Sequence, residues 1–249
     1  MRVAAIYDIH GNLPALEAVL EDVRQDTVDL LVVGGDVLPG PMPGETIDRL
    51  QDIGISATFI QGNGDREVLA VLAGIESAAV PESYRPVMAW VAHQLRPDQV
   101  QWLESWLPNV TIDVTGLGEV LFCHATPRSD AELFTRLTPE DQLRSAFAGL
   151  TTSAVVCGHT HMQFERRIGD VCVLNAGSVG MPFGAPGAYW LVLGPTNAQF
   201  RHTAYDLSAA AARIRATDYP QAAEFAANNV LNPPPEERML QAFTRASRR

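Results

Sequence analysis

The sequence has few cysteines, a deficit of cationic side chains and no long apolar stretch, and each shortage excludes a class of protein. Its three cysteines are an odd number in a chain of 249 residues. Cys123, Cys157 and Cys172 each lie in an apolar, strand-like run, which indicates buried free thiols in a reducing compartment rather than a disulfide framework or a thiolate metal site. No apolar run could span a bilayer, and no signal-type segment opens the chain. We therefore expect a cytoplasmic protein with no membrane partner.

The charge balance narrows the range of partners. The chain carries 18 Lys and Arg against 29 Asp and Glu, a formal net charge of −11. This surplus argues against a protein that wraps a polymeric nucleic acid or lies on an anionic membrane. It does not argue against a small phosphate ester, because bound cations can reverse the local field.

What the chain does contain is a series of short apolar runs, each followed by polar residues that can bind a metal. Open α/β sheets place their ligand sites at the carboxyl ends of strands, so we expect these polar side chains to lie close together. The runs, with the polar residues that follow, are 3–7 (Asp8, His10), 30–33 (Asp36), 57–60 (Asn63), 120–123 (His124) and 154–157 (His159, His161).

The order of predicted elements indicates an α/β fold. Strands and helices alternate up to residue 65, which favours a mostly parallel sheet. Helical patterns alone fill about 66–107, with a helix predicted from residue 67, and strands return from 110 to 204. We expect Trp90, Trp102 and Trp106 mainly in the core of this helical insertion, although one of them could line a substrate cleft.

The segment after residue 205 differs from the rest, with short helical patterns broken by prolines and no signal of a site. We therefore predict one domain over 1–205 and a helical C-terminal appendage over 206–249. The appendage would pack on the body or on another subunit, so a homo-oligomer stays open.

The polar residues also form an ordered set of motifs, and this set resembles the calcineurin-like metallophosphoesterase superfamily. The resemblance covers about residues 1–205, and residues 175–180 look like the Gly-Ser loop of its small bacterial YfcE-like phosphodiesterase branch. Each motif is weak alone, but five in the family's order are specific. They are Asp-x-His at 8–10, Gly-Asp at 35–36, Gly-Asn at 62–63, His at 124 and Gly-His-x-His at 158–161.

The resemblance implies a two-sheet β-sandwich flanked by helices, in four αββα layers, with two divalent metal ions. By motif, Asp8, His10 and His161 would bind one metal, Asn63, His124 and His159 would bind the other, and Asp36 would bridge them. Oxygen and imidazole ligands suit Mn²⁺, which we expect first, and also Fe, Zn²⁺ or Ni²⁺.

The same resemblance implies hydrolysis of phosphodiesters or small phosphomonoesters by a metal-bridging hydroxide. Asp8, Asp36, Asn63 and His124 would be catalytic, and Asn12, Asn63 and Arg66 would bind substrate. Asn12 could instead cap a helix, and Arg66 could be a solvated residue at a helix start. The alternatives for the chain are a phosphomonoesterase, including a protein phosphatase, or a non-catalytic scaffold such as the retromer subunit of this fold.

One position departs from the family pattern. Many relatives carry a His after the Asn of the third motif, where it can protonate the leaving oxygen, but here that position is Gly64. We expect Gly64 to leave room for a bulky ester substituent, and Gly64→His to help esters with poor leaving groups. His93, the only histidine of the insertion, is an alternative proton donor, while Ser178 is expected to shape its loop.

Overall fold

The computed structural model describes residues 1–246 of the chain, whose ten strands form two five-stranded sheets. The first sheet has the order β10-β9-β1-β2-β3 and the second the order β4-β5-β6-β8-β7. The strands are β1 (Val3–Ile6), β2 (Leu30–Val33), β3 (Ala57–Phe59), β4 (Asn109–Val114), β5 (Gly118–Cys123), β6 (Ala154–Cys157), β7 (Phe164–Ile168), β8 (Val171–Asn175), β9 (Ala188–Leu193) and β10 (Ala198–Thr203).

Helices cover the outer face of each sheet. They are α1 (Leu13–Gln25), α2 (Pro43–Gln51), α3 (Asn63–Leu72), α4 (Arg85–His93), α5 (Pro97–Glu104), α6 (Glu140–Phe147), α7 (Leu207–Arg215), α8 (Ala222–Phe225) and α9 (Glu236–Ala246), with a 3₁₀ turn at Glu82–Tyr84 and a π-helical segment at Ala226–Leu231. Most lie on the first sheet, and α6 lies on the second.

The alternation of side chains along β1 shows how the layers meet. Val3 and Ala5 join an apolar cluster between the sheets, together with Phe122 of β5. Ala4 and Ile6 point the other way, into the cluster under the helices of the first sheet. Successive residues of a strand face opposite sides of the sheet. Both faces of β1 are therefore apolar and buried. The predicted four-layer αββα architecture is confirmed.

The parallel strands set the position of the site. Strands β1, β2 and β3 are parallel, as are β5, β6 and β8. Antiparallel strands complete the edges: β9 and β10 on the first sheet, β4 and β7 on the second. The carboxyl ends of the parallel strands in each sheet therefore lie on one side, where the loops after β1, β2, β5 and β6 meet.

The predicted helical insertion packs as part of the layer on the first sheet. Val68, Val91 and Leu103, from α3, α4 and α5, belong to the same apolar cluster as α1 and α2. The prediction that the first of these helices starts at residue 67 is wrong, because α3 begins at Asn63. The Asp65 carboxylate accepts hydrogen bonds from the Gly62 and Leu38 amides, both at 2.9 Å, which folds the loop into a first helical turn.

The tryptophans of this segment pack in the core region rather than against the cleft described below. Trp102 and Trp106 contact Phe59, with ring centroids 4.6 and 5.3 Å away. Trp90 contacts Tyr219 at 5.4 Å, edge to face. The contact between Trp90 and Tyr219 joins the helical segment to the residues after 205.

The C-terminal segment packs on the body of the same chain. Ile214, Phe225 and Val230 are buried in the cluster that holds α1. Residues 247–249, including Arg248 and Arg249, lie outside the described residues, and a domain division at residue 205 stays a prediction. Within 1–246, no helix combines the length and the apolar character that a membrane crossing requires.

Candidate metal centre

Six of the predicted ligands form two groups at the common edge of the sheets. In each group the three potential ligand atoms lie within 4.8 Å of one another. The first group follows β1 and β6, and the second follows β2, β5 and β6. They are Asp8, His10 and His161, and Asp36, His124 and His159.

The backbone at these residues is held in an uncommon conformation. Among described residues other than glycine, a positive φ occurs at Asp8, His10, Asp36, His159 and His161, with values of 48–65°, and otherwise only at Thr27. Each such residue costs on the order of 1–3 kcal/mol and persists where the surroundings enforce it. Concentration of this strain in one cluster of polar side chains is typical of a functional site.

Hydrogen bonds between the loops enforce the geometry. The Asp8 amide donates to the Gly35 carbonyl at 3.0 Å, and the His10 amide donates to the Asp36 carbonyl at 2.9 Å. Between the sheets, the His159 amide donates to Asp8 Oδ2 at 2.9 Å. A glycine at 158 permits this approach, since a Cβ there would lie 2.5 Å from the same oxygen. The two sheets are thus joined at the site itself.

Three imidazoles present the same nitrogen to the centre of the site. The Nδ1 atoms of His10, His124 and His161 lie 3.2, 2.9 and 2.7 Å from the backbone carbonyls of Pro39, Gly34 and Met181 respectively. A carbonyl can only accept, so each Nδ1 carries the proton and leaves Nε2 as the lone-pair donor of the neutral ring. Backbone contacts of this kind orient metal-binding histidines.

Asp36 faces both groups. Its Oδ1 lies 3.4 Å from His124 Nε2, and its Oδ2 lies 3.8 Å from His10 Nε2. The Gly64 amide donates to Oδ1 at 2.7 Å and fixes the carboxylate. The position between the groups is the one that a bridging ligand needs.

The electrostatics of the site are set by burial and by opposed charges. Burial alone would lower the pKa of His124, but the Asp36 and Asp8 carboxylates raise it to about 10. Burial and the neighbouring His124 lower the pKa of His159 to about 4. Burial would raise the pKa of Asp36, yet His124 and His10 hold it well below its usual range. Positive charge is therefore required among these carboxylates, as a proton on His124 or as a cation.

The donor set fits cations better than protons alone. Asp8 Oδ1 and His159 Nε2 are buried without a hydrogen-bond partner. One end of the Asn63 side-chain amide lies 3.0 Å from His159 Nδ1 and 3.3 Å from His124 Nε2. An amide oxygen among ring nitrogens calls either for rotation of the amide or for a shared cation. Oxygen and imidazole donors without thiolate suit the harder and borderline divalent metals.

The proposed substrate contacts lie in different surroundings. Asn12 is fully buried; its side-chain oxygen accepts from the Ala15 amide at 3.3 Å, and its nitrogen donates to the Gly180 carbonyl at 3.0 Å. It caps α1, and a phosphate contact would require those bonds to break. Arg66 does line the cleft, where its Nε lies 2.7 Å from Asp130 Oδ2.

Two further residues have contacts that define their roles in the structure. Ser178 Oγ donates to the Asp8 carbonyl at 2.8 Å and accepts from the Met181 amide at 2.8 Å, so it shapes its loop as predicted. His93 ends α4, is exposed, and its Nδ1 lies 2.6 Å from the Ala89 carbonyl. It is not among the residues that line the cleft.

Gly64 lines the cleft, and the expectation that it leaves room for a bulky substituent stays a prediction. A Cβ at this position would lie 2.4 Å from the Leu38 carbonyl oxygen and 2.9 Å from Pro39 Cδ. A side chain at 64 would therefore meet backbone rather than the cleft. Glycine is required because α3 packs directly on the loop that follows Asp36.

The cleft over the site has a wall that was not predicted from the sequence. It measures about 290 Å³, and four residues of the two groups line it: His10, Asp36, His159 and His161. Val80, Tyr84 and Met88 form an apolar wall of the same cleft, which Glu67 also lines. The one sequence feature that indicated this wall is the helical pattern of α3, which places Glu67 one turn after Gly64.

The C-terminal segment, whose sequence carries no signal of a site, packs close to the candidate ligands. The ring of Phe183 stacks on His161, and Phe243 of α9 contacts Phe183 with centroids 6.0 Å apart. A backbone hydrogen bond from the Gly184 amide to the Pro234 carbonyl, 2.9 Å, adds a second link. The last described helix thus reaches the site through one intervening ring.

Comparison with known proteins agrees with this geometry. The calcineurin-like phosphoesterase superfamily domain matches residues 1–196. Phosphodiesterase YfcE of Escherichia coli strain K12 is 27% identical over 202 residues, 77% of this chain and 87% of that protein. A symmetrical bis(5'-nucleosyl)-tetraphosphatase of Thioalkalivibrio sulfidiphilus is 31% identical over 124 residues, 43% of this chain and 46% of that protein.

A solved structure shows the same fold. The crystal structure of a metallophosphoesterase from Sphaerobacter thermophilus has a TM-score of 0.72 at 24% identity, over 92% of this chain and 99% of that one. The superfamily match covers well over half of the sequence, in the region that holds every proposed ligand. The chain therefore belongs to the calcineurin-like phosphoesterase superfamily and is a metal-dependent hydrolase of phosphoric esters.

Proposed function

We propose that this protein is a two-metal phosphodiesterase acting on small esters in the cytoplasm. The observation that carries the proposal is Asp36, whose two carboxylate oxygens face the two groups of candidate ligands separately. Asp8, His10 and His161 would hold one metal, and Asn63, His124 and His159 the other. Mn²⁺ is our first choice, with Fe, Zn²⁺ or Ni²⁺ as alternatives.

When bound, two divalent cations supply Lewis-acid charge and a nucleophile at neutral pH. The chain's own residues supply the positioning of the ligand atoms. Asp8, Asp36, Asn63 and His124 are the catalytic residues in this proposal, because they would hold the two metal ions beside the cleft that takes the substrate. The backbone carbonyls behind the imidazoles prevent those rings from turning away.

Arg66 would approach the phosphoryl group from the cleft. It is held by Asp130 at 2.7 Å and by Glu67 at 2.7 Å, so its charge is largely balanced before any substrate arrives. A balanced arginine adds little attraction for the second negative charge of a phosphomonoester. This favours a diester, and it weakens the alternative of a phosphomonoesterase or protein phosphatase.

The scaffold alternative is disfavoured by the same residues. All seven proposed ligand positions carry metal-binding side chains. Keeping five of them in a strained conformation, around a carboxylate oxygen without a partner, has no purpose in a surface that only binds other proteins.

The test compares hydrolysis of bis-p-nitrophenyl phosphate and p-nitrophenyl phosphate after loading with Mn²⁺, Zn²⁺, Ni²⁺ or Fe²⁺. We expect a higher kcat/KM for the diester with at least one metal. A higher kcat/KM for the monoester with every metal would replace the proposal by the phosphomonoesterase alternative. Absence of turnover of both substrates would support the alternative of a non-catalytic scaffold.

A further inference from the structure

Glu67 is a buried carboxylate in the cleft wall, and one of its two oxygens has no role in the proposed reaction. Its residue is 5% exposed, and it lies one helical turn after Gly64 on α3. One oxygen, Oε1, accepts from Arg66 Nη1 at 2.7 Å. The other, Oε2, is buried without a hydrogen-bond partner. A buried carboxylate oxygen without a donor is costly, so it needs a partner that the protein itself does not supply.

The surroundings of Glu67 indicate which kind of chemical group would supply that partner. Val80, Tyr84 and Met88 line the same cleft as Glu67, as do His10 and His159. To an ester substituent, the side chains of Val80, Tyr84 and Met88 offer aliphatic and aromatic surface rather than hydrogen bonds. Rotation about the last torsion of a glutamate is soft, so Oε2 can turn toward a group that enters the cleft.

The charge of the wall argues against further phosphates. Among the described residues that line the cleft, Arg66 is the one cation besides the imidazoles. Its guanidinium is already engaged by Asp130 at 2.7 and 3.2 Å and by Glu67. A substrate with a polyphosphate chain would place its additional negative charges beside Glu67 with no free cation to meet them.

We propose that this wall is a subsite for one ester group of a phosphodiester that combines an apolar chain with a hydroxyl or ammonium group. Val80, Tyr84 and Met88 contact the chain, and Glu67 Oε2 accepts a hydrogen bond from the terminal donor. Glu67 is thus a specificity-determining residue. The inference rests on the proposed phosphodiesterase function and names the class of substrate that the site selects.

The experiment measures competitive inhibition of bis-p-nitrophenyl phosphate hydrolysis by two symmetric diesters of similar size. These are bis(2-aminoethyl) phosphate, which carries donors, and dipropyl phosphate, which carries none. Symmetry ensures that either ester group can enter the subsite. The test variant is Glu67→Gln, and the matched control is Glu76→Gln, which removes the same charge from an exposed side chain paired with Arg85 outside this cleft.

In the wild-type protein we expect tighter inhibition by bis(2-aminoethyl) phosphate than by dipropyl phosphate. Glu67→Gln should reduce that preference by about tenfold or more, as expected for loss of a charge-assisted hydrogen bond. Glu76→Gln should change it by less than about twofold, as expected for an exposed charge.

An unchanged preference in folded Glu67→Gln protein would overturn the subsite. Should that variant not fold, the wild-type comparison alone decides, because equal or weaker inhibition by bis(2-aminoethyl) phosphate contradicts the proposal. Absence of any hydrolysis by the metal-loaded wild type is a separate result, which removes the phosphodiesterase function and the subsite with it.

Discussion

The ring of Phe183 stacks on the imidazole of His161, with centroids 5.2 Å apart and planes 17° from parallel. The Nδ1 of that imidazole lies 2.7 Å from the Met181 carbonyl, so two contacts fix its orientation. Phe183 is supported in turn by Phe243 of α9. The C-terminal helix therefore braces a candidate metal ligand from outside the motifs.

From this we predict that Phe183→Ala weakens one metal site more than the other. Contacts that orient metal ligands are typically worth 10–100-fold in affinity, and we expect a loss of about tenfold at the site of His161. Competition with a chelator, followed by metal analysis, measures both affinities. Phe183→Leu is the matched control for bulk without stacking. Equal affinities in all three proteins would contradict the bracing role.

His159 provides a prediction about stability without metal. Its φ is 65°, and its Nε2 is buried without a partner, so its side chain contributes strain and an unpaired polar atom to the metal-free fold. Glycine tolerates this φ, so His159→Gly should leave the metal-free free energy of unfolding within about 1 kcal/mol of wild type or raise it. Metal should stabilise the variant less than it stabilises wild type.

Urea unfolding of the metal-free and metal-loaded proteins measures this difference. The control is His93→Gly at the end of α4, which should cost on the order of 0.5–1 kcal/mol in both states. A metal-free His159→Gly protein that is much less stable than wild type would show that this histidine has a structural role.

The raised pKa of His124 predicts that metal loading releases protons. With a folded pKa of about 10, against about 6.5 when unfolded, its proton stabilises the metal-free fold below about pH 6.5. That contribution is lost as pH rises through about 10. A metal at Nε2 must displace this proton, and His161, whose pKa is also raised above its usual value by Asp8 against the effect of burial, adds to the release.

We therefore expect about one to two protons released per chain on Mn²⁺ loading at pH 7, and metal affinity that increases with pH. Calorimetric titrations in buffers of different ionisation enthalpy count the protons. His124→Ala should reduce the count by about one. Binding without proton release would mean that the ions avoid His124 and His161.

Gly64 gives a prediction opposite to the one drawn from the sequence. Because a Cβ there meets the Leu38 carbonyl at 2.4 Å, Gly64→His should not add a proton donor to the cleft. Gly64→Ala should already cost about 1–3 kcal/mol of stability, as overpacking does, and weaken metal binding by shifting Asp36. Gly44→Ala in α2 is the control, with its nearest atom at 3.6 Å.

Thermal unfolding and hydrolysis of aryl and alkyl esters test this prediction. We expect the Gly44→Ala protein to be as stable as wild type or more so, since alanine favours a helix. A stable Gly64→His protein with a selective gain on alkyl esters would restore the original expectation and contradict the placement of α3.

The clustering of six candidate ligands could be predicted because each follows an apolar strand whose carboxyl end is buried. Asp8 after β1 and His159 after β6 are far apart in sequence, but parallel strands end at one side of a sheet, and the motif order indicated which sheets meet. The strand boundaries of Leu30–Val33 and Ala154–Cys157 were predicted without error for the same reason.

The remaining features depend on contacts that periodicity does not encode. Phe183 and Phe243 meet through the path of the C-terminal chain, and nothing local marks either ring as a neighbour of His161. Asn63 starts a helix because Asp65 reaches back to the Gly62 and Leu38 amides, a tertiary arrangement that overrides the loop-like composition of 61–66. The same arrangement turns Gly64 toward backbone.

The central claim is that Asp36 bridges two metal ions, and the most direct measurement is the metal content of wild-type and Asp36→Asn protein after Mn²⁺ reconstitution. The account predicts close to two ions per wild-type chain and weakened binding at both sites in the variant, with activity lost. A wild-type content near zero, or an Asp36→Asn protein that keeps full occupancy and activity, would contradict it.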